Sequence, residues 1–450
     1  MQTARQKYLE RYAEPEAALA ANLVGPYGHA VVLPAYGEGD ELVAALASIP
    51  KGPGGRVLVV LVLNAKATAT PWMHDRNRAV VTRLREIFGR TEEWQLAPSP
   101  PARLFTFAAG HVLLIDRSEK AHWFPDDQGV GLARKIGVDL CLALHETGRL
   151  GTRFVHTTDA DVELPDDYFE RPELTRGEAG AALVYSFSHR PERDRKWALA
   201  IALYEISLRY YVLGLRFAGS PSAYHTIGST LAVDVDAYAA VRGFPKRDAA
   251  EDFYLLAKLA KVGPIVSLAG QPIFIRGRPS NRVPFGTGRA VQRIAAEGAE
   301  RFTLYHPCVF RYLAAWDRAM VIFARQDSDL ELAELVRAAC AEDQLEPGCL
   351  VEAGQDLGAF DALTLARGQA KDGLRLERRL HTWFDSFRTL KLIHALQKRG
   401  LCRRPWKDAL LEAPWARAAV LEAAELDEDH VALARIAARL AGLELSARRR

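Results

Sequence analysis

Two acidic pairs in the 450-residue chain have the residue types and spacing to do chemistry. The first is Asp159-Ala160-Asp161, inside Thr157-Thr158-Asp159-Ala160-Asp161-Val162-Glu163. Carboxylates at alternate positions of an extended chain point to the same side. Hard oxygen ligands so placed suit Mg2+ or Mn2+, whose remaining positions go to phosphate oxygens and water. A solvated acidic turn is the plain alternative, since Asp166 and Asp167 follow. The metal reading is preferred because the run Arg153–Thr158 before the pair reads as a buried strand, and ligands of α/β folds gather at strand carboxyl ends. The second pair is Glu251-Asp252, which opens a stretch whose Leu256 and Leu259 give a helix an inward face. A first-turn position favours the anionic form through the helix dipole. An ionised carboxylate is what a general base needs to take a proton from an attacking hydroxyl. Ordinary dipole-complementing charge is the competing reading.

Three further segments border these pairs in the reading. Val31-Val32-Leu33-Pro34-Ala35-Tyr36-Gly37-Glu38 is an apolar strand followed by a turn; Pro34 cannot continue a central ladder and marks the strand end. Gly129-Val130-Gly131-Leu132-Ala133-Arg134-Lys135-Ile136-Gly137 opens a helix with glycines and cations, both of which attract phosphate. Arg276, Arg278, Arg282, Arg289 and Arg293 fall close together. The stretch Asn281–Arg289 among them reads as a mobile lid over donor phosphates or an anionic acceptor, or as a surface loop with scattered arginines.

The elements that would position these groups are legible from periodicity. Strands are predicted at Ala30–Leu33, Arg56–Leu63, His111–Ile115, Arg153–Thr158, Ala181–Ser186 and Thr230–Val233. Helices are predicted after an Asp40 N-cap, over Trp72–Phe88 and over Val130–Leu144. Ala65–Pro71 and Leu96–Ala102 read as loops. This alternation predicts an α/β fold on a largely parallel sheet. From about Ala290 the strand signals fade, and Leu330, Leu332, Leu335 and Val336 carry helical spacing. The expected layout is an N-terminal helical segment over 1–28, an α/β domain over 29–289 and a helical region over 290–450.

Composition narrows the class. Apolar residues make up 49% and charged residues 26%, as in a globular protein with a large core, and a net charge of +3 is too mild to argue for nucleic acid. Cys141, Cys308, Cys340, Cys349 and Cys402 are odd in number and form no Cys-x-x-Cys, so neither a zinc site nor a disulfide framework is expected, and reduced thiols fit a cytoplasmic location. Met1–Glu16 lacks an apolar core and does not read as a secretory signal. Trp197–Phe217 is apolar but holds Glu205, Arg209 and Arg216, which are costly in lipid. It reads as a buried or membrane-skimming helix, so no transmembrane segment is expected and peripheral membrane contact stays open.

Taken in order, these segments resemble the nucleotide-sugar glycosyltransferases of the GT-A fold, family 2 in particular, over about residues 29 to 270. Pro34-Ala35-Tyr36-Gly37-Glu38 is similar to that family's Pro-Ala-Tyr-Asn-Glu, and Gly129 through Gly137 to its Gly-x-x-x-Ala-Arg-Asn-x-Gly, with Lys135 where asparagine is usual. Asp159-Ala160-Asp161 is similar to its DxD. Gly228-Ser229, Arg242-Gly243-Phe244 and Glu251-Asp252 are similar to its later block. The resemblance implies a Rossmann-like GT-A domain with a helical C-terminal region and a transfer of a sugar from a nucleotide-diphosphate sugar to a hydroxyl acceptor. UDP-sugar is favoured, and the reaction would be inverting and non-processive. Pro34, Ala35, Tyr36, Glu38, Asn64, Arg134, Lys135 and Asp159 would bind the donor. Asp159 and Asp161 would hold Mn2+ or Mg2+. Asp252 would be the base, with Glu251 its understudy. His225, Gly228, Ser229, Arg282 and Arg289 are candidate acceptor or lid residues. Related retaining synthases, which act on small anionic acceptors such as a phosphoglycerate, add a late histidine metal ligand, for which His225 and His306 are candidates. Asn64-Ala65-Lys66-Ala67 departs from the family's Asp-Asp-Gly-Ser, and the processive Gln-x-x-Arg-Trp is absent. A catalytically degenerate binding module is the non-enzyme alternative. The sequence leaves the acceptor and the oligomeric state open.

Overall fold

The computed structural model describes residues 2–88, 92–94, 100–174, 180–190, 193–277, 286–325, 330–369, 372–421 and 429–446. The chain divides into two compact units, residues 1–190 with 226–289, and residues 191–225 with 290–450. Residues 1–28 fall within the first unit, and 191–225 within the second.

The strands of the first unit are β1 (Tyr27–Ala35), β2 (Arg56–Asn64), β3 (Glu92–Trp94), β4 (Ala102–Phe107), β5 (Gly110–Arg117), β6 (Phe154–Thr157), β7 (Val162–Glu163), β8 (Ala182–Val184), β9 (Phe187–Arg190), β10 (Leu231–Asp234), β11 (Ile265–Ser267) and β12 (Ile273–Arg276). Nine of them form one sheet in the order β11-β8-β10-β6-β1-β2-β5-β4-β3. The pairs β6–β1, β1–β2, β2–β5 and β8–β11 are parallel. Strand β10 runs antiparallel between β6 and β8, and β4 antiparallel to β5. The centre is parallel because its strands are continuous apolar runs: every residue of Val57–Leu63 is buried, as a strand covered on both faces demands. The remaining three strands form a small sheet in the order β7-β12-β9.

The order of strand addition reverses at β1, with β2 and β5 on one side and β6 on the other. A crevice at the carboxyl ends of β1 and β6 is the consequence. Strand β1 runs one residue past Pro34, which pairs in register with Val62. Proline is tolerated there because Val32 accepts a bond from Thr158 N of the β6 segment, and Pro34 faces the same way, beyond the last paired residue of β6.

Helices of this unit are α1 (Ala4–Arg11), α2 (Asp40–Ala47), α3 (Pro71–Phe88), α4 (Val130–Glu146), α5 (Arg171–Leu174), α7 (Val235–Ala240) and α8 (Glu251–Leu259). Gly39, not Asp40, is the N-cap of α2. Pro71, expected in a loop, is the first residue of α3, where a missing N–H is harmless. Helix α4 is buried almost throughout and lies so close to β1 that a Cβ on Gly137 would come within 2.3 Å of Val32 Cγ1. Of the expected loop Leu96–Ala102, residues 96–99 lie outside the described residues and Ala102 begins β4.

The second unit is helical. It holds α6 (Arg195–Phe217), most of α9 (Thr287–Glu297), α10 (Pro307–Arg325), α11 (Leu332–Glu342), α12 (Pro347–Asp356), α13 (Ala359–Gln369), α14 (Gly373–Trp383), α15 (Ser386–Lys398), α16 (Trp406–Glu412), α17 (Arg417–Leu421) and α18 (His430–Ser446), with a short ladder of β13 (Thr303–Leu304) and β14 (Arg404–Pro405). Trp316 and Trp406 are fully buried in its core. Among the described residues, α6 alone is long and apolar enough to cross a membrane, and 72% of its most apolar window is buried inside the protein. Its buried arginine is matched: Arg209 bonds Glu205 at 2.7 Å and Glu444 of α18 at 2.9 Å.

Candidate functional site

The carboxyl ends of β1 and β2 are tied together by buried amides. Asn64 Nδ2 donates to Ala35 O at 2.8 Å. Asn77 on α3 donates to Asn64 O at 2.8 Å and accepts from Gly37 N at 2.9 Å. Gly37 has φ 61°, a left-handed conformation that glycine adopts without strain. Arg76 Nε donates to Gly37 O at 2.9 Å and to Glu38 O at 3.2 Å. The turn Tyr36-Gly37-Glu38 is thus built from behind by α3, leaving Tyr36 half-buried and Glu38 buried at the crevice. Asn77 and Arg76 carry no sequence signal that separates them from the surface polar residues of α3.

Arg134 is the hub of the site. It is 2% exposed and divides its guanidinium among three acceptors. Nε donates to Glu251 Oε1 at 2.9 Å, Nη2 to Asp159 Oδ1 at 2.7 Å, and Nη1 to Thr158 O at 3.3 Å. The two acidic motifs, far apart in the chain, therefore meet on one arginine. Burial opposes the charge of Arg134, but Asp159, Glu251 and Asp252 outweigh it and hold the guanidinium above its ordinary pKa. Gly228 is required by this packing: a Cβ there would sit 2.5 Å from Arg134 Nη2. Thr157 Oγ1 fixes the same glycine by donating to its carbonyl at 2.6 Å, with Ser229 buried beside it. Thr158 Oγ1 is buried without a hydrogen-bond partner among the described residues, next to Asp159 in the chain.

Glu251 and Asp252 occupy the first turn of α8 as expected, but their ionisation differs from the dipole argument. Burial raises Glu251, with Arg134 pulling the other way. Burial, and then the neighbouring Glu251 charge, push Asp252 up to about 7. Desolvation outweighs the helix dipole because that effect is worth only about 0.3–1 kcal/mol at ordinary positions. Asp252 Oδ1 accepts from Phe253 N at 2.7 Å. The preceding Ala250 has φ 61°, left-handed and unusual for alanine, and it aims the start of α8 at Arg134.

Asp161 is half-buried, and its carbonyl accepts from Arg276 N at 2.9 Å, which anchors the small sheet to the DxD turn. Among the described residues no cluster of three His, Cys, Asp or Glu side chains could hold a metal by itself. Two strand-end carboxylates without a third protein ligand fit a hard divalent ion that takes its other oxygens from a diphosphate and water.

Several predicted residues lie elsewhere. The N–H groups of Gly129 and Gly131 both donate to Arg247 O, at 3.3 and 3.0 Å, and a Cβ on Gly131 would be 2.3 Å from Pro245 O. These glycines admit the 245–248 turn against α4 instead of receiving phosphate. Lys135 is 4% exposed and bonds Tyr8 OH at 2.6 Å, Tyr12 O at 2.8 Å and Asp139 Oδ2 at 2.8 Å. It fastens the N-terminal segment to α4. Burial first, and then Asp139, raise the Tyr8 hydroxyl far above its ordinary range, so it stays protonated within that network. His225 and His306 belong to the second unit. His225 Nε2 pairs with Glu444 Oε1 at 2.9 Å, and His306 Nδ1 accepts from Cys308 N at 3.1 Å. Arg289 is exposed on α9; Arg282 lies outside the described residues.

No protein-family model and no curated protein matches the chain. Solved structures similar to it include S. aureus TarS residues 1–349 in complex with UDP-GlcNAc, at 12% identity over 83% of this chain and 92% of that one, with a TM-score of 0.37. A mannosyltransferase from Pyrobaculum calidifontis in complex with GDP-Man and Mn2+ is 16% identical over 89% and 95%, with a TM-score of 0.35. A second S. aureus TarS structure is 13% identical over 73% and 55%, with a TM-score of 0.33. Likenesses this distant decide nothing about the reaction, which rests on the geometry of the site.

Proposed function

We propose that the protein is a metal-dependent glycosyltransferase that moves a sugar from a nucleotide-diphosphate sugar to a hydroxyl acceptor, with inversion and without processivity. The observation that carries this reading is the meeting of Asp159 and Glu251 on the buried Arg134, at the carboxyl ends of β1 and β6. Carboxylates that outnumber the one buried cation suit the holding of a divalent ion, which can offset the charge of an anionic leaving group.

The nucleoside would lie over the Tyr36-Gly37-Glu38 turn and Asn64, whose backbone and amides are held rigid by Asn77 and Arg76. Rigid donors of this kind cost little reorganisation when a ligand binds. Asp161, with Asp159, would hold Mn2+ or Mg2+, which supplies charge neutralisation to the departing diphosphate. Asp252, raised to about 7, accepts the proton that an acceptor hydroxyl releases as its oxygen attacks the anomeric carbon. Glu251 is engaged by Arg134 and serves to place that arginine. A UDP-sugar is the donor favoured by the resemblance of the motifs.

Calorimetric titration with UDP and with GDP, each with and without Mn2+, tests the donor half of this reading. Binding of one nucleotide that strengthens at least tenfold with Mn2+ is expected, a change that corresponds to about 1.4 kcal/mol or more. Equal affinity with and without metal contradicts it.

A further inference from the structure

A second charged centre lies in the second unit and takes no part in the chemistry above. Strand β13 ends just before Tyr305 and His306, and α10 begins at Pro307. Its partner β14 begins at Arg404, opposite Leu304, so the residue before it, Arg403, falls across from Tyr305. Arg403 Nε donates to Thr303 Oγ1 at 3.0 Å and Nη2 to Thr303 O at 2.6 Å. With its fork fixed, the Arg403 guanidinium stands 4.6 Å from the centre of the Tyr305 ring. Tyr305 OH lies 3.4 Å from His394 Nε2 on α15, and Lys398 follows one turn later on the same helix. Tyr211 of α6 flanks Tyr305, with ring centroids 5.8 Å apart.

Cations outnumber acids here. His394 is held below its ordinary value by burial, then by Arg403 and by Lys398. Arg403 is lowered by burial, and Arg293 of α9 lowers it further. Glu412 of α16 is the acid that acts on this corner, and it is bonded to Arg404 at 2.5 Å. His306 is held below its ordinary value by burial; Glu412 opposes that shift and Arg404 adds to it. Like charges gathered around aromatic rings are unfavourable in the empty state and become favourable when an anion is shared among them.

We infer that Arg293, Tyr305, His394, Lys398 and Arg403 form a binding site for a phosphoryl group carried by a soluble ligand, separate from the donor site. Arg403 supplies a guanidinium held in place, Lys398 and Arg293 supply mobile cations, and Tyr305 and His394 supply hydrogen-bonding groups. A free phosphate and a phosphate ester share this chemistry. The site gives the second unit a role of its own, holding a phosphorylated acceptor or a phosphorylated effector.

The test is an NMR titration of the full-length protein with inorganic phosphate and then glycerol 3-phosphate, without divalent metal, following the His394 imidazole resonances. Phosphate is expected to raise the His394 pKa and to bind saturably. Arg293→Gln with Lys398→Gln, both exposed changes, is expected to weaken binding roughly tenfold or more, since charge-assisted bonds are the strong ones. Arg403→Gln is expected to do the same while the protein melts as wild type. A stronger response to glycerol 3-phosphate than to phosphate assigns an ester ligand; an equal response assigns the free anion; both support the site. No shift at His394, or equal binding by wild type and the double variant, overturns the inference. Sedimentation with phosphatidylglycerol vesicles that phosphate fails to compete also overturns it, by making the patch a membrane contact. Nucleotide binding at the first unit is measured in parallel, so a failed donor reading is told apart from a failed phosphate site.

Discussion

Replacing Arg134 tests how the two acidic motifs are held. Methionine keeps much of the side-chain length and removes the charge. Glu251 is only 5% exposed at its side chain, so it would be left as a buried carboxylate without its cation. Asp159 is 36% exposed at its side chain, so water takes over much of its loss. Breaking a buried pair by removing one partner costs about 3–5 kcal/mol, and nearly all of it here falls on Glu251. Protonation offers an escape: burial already raises Glu251, and loss of Arg134 raises it further. The penalty should therefore be largest above pH 7 and shrink as pH falls and the carboxyl takes up a proton. Glu251→Gln removes the stranded charge, so Arg134→Met with Glu251→Gln should recover more than half of the loss. Urea unfolding of the full chain at pH 8 and pH 5 measures all of these quantities. Arg134→Met within about 1 kcal/mol of wild type at pH 8, or a double variant no more stable than the single, would refute the reasoning.

Other consequences follow from single observations. If Asp252, whose pKa is raised to about 7 from an unfolded value near 3.8, is the base as proposed, it acts only when ionised, and the transfer rate should climb with pH up to about 7 and level off above it. Because the folded value is the higher one, the same group favours the folded state at low pH, and stability declines between those two values; a flat pH–rate profile from pH 5 to 8 would contradict the assignment. Gly228→Ala pushes a methyl into Arg134 Nη2 and should lower donor turnover by more than tenfold while the melting temperature moves by only a few degrees, read by steady-state kinetics beside calorimetry. Gly137→Ala drives α4 off β1 at Val32 and should destabilise by about 1–3 kcal/mol, seen as a lower urea midpoint.

The sheet was readable because its central strands are unbroken apolar runs, and β2 lies within one residue of its predicted bounds. The small sheet was not, since β7, β9 and β12 are short and carry mixed polar residues whose pairing depends on partners distant in the chain. The DxD and Glu-Asp pairs could be found as motifs, but their junction through Arg134 is a tertiary fact. Lys135 shows the limit of motif reading: its neighbour reaches the site, while the next position on the helix points to Tyr8 and Asp139. Gly129 and Gly131 were legible as glycines that something must approach closely, and the approaching group is the Arg247 backbone. His225 looked available as a ligand because the sequence gives no hint of Glu444 across the second unit.

The central claim is metal-assisted departure of a nucleoside diphosphate, and sugar-nucleotide hydrolysis measures it most directly. A panel of UDP- and GDP-sugars would be offered to wild type, Asp161→Ala and Asp252→Asn, with Mn2+ and with chelator. The account predicts diphosphate release from one nucleotide class by wild type with Mn2+, its loss with chelator or in Asp161→Ala, and a slower rate in Asp252→Asn with donor affinity retained. Release that persists in Asp161→Ala and in chelator, or no turnover of any donor by wild type, would contradict it.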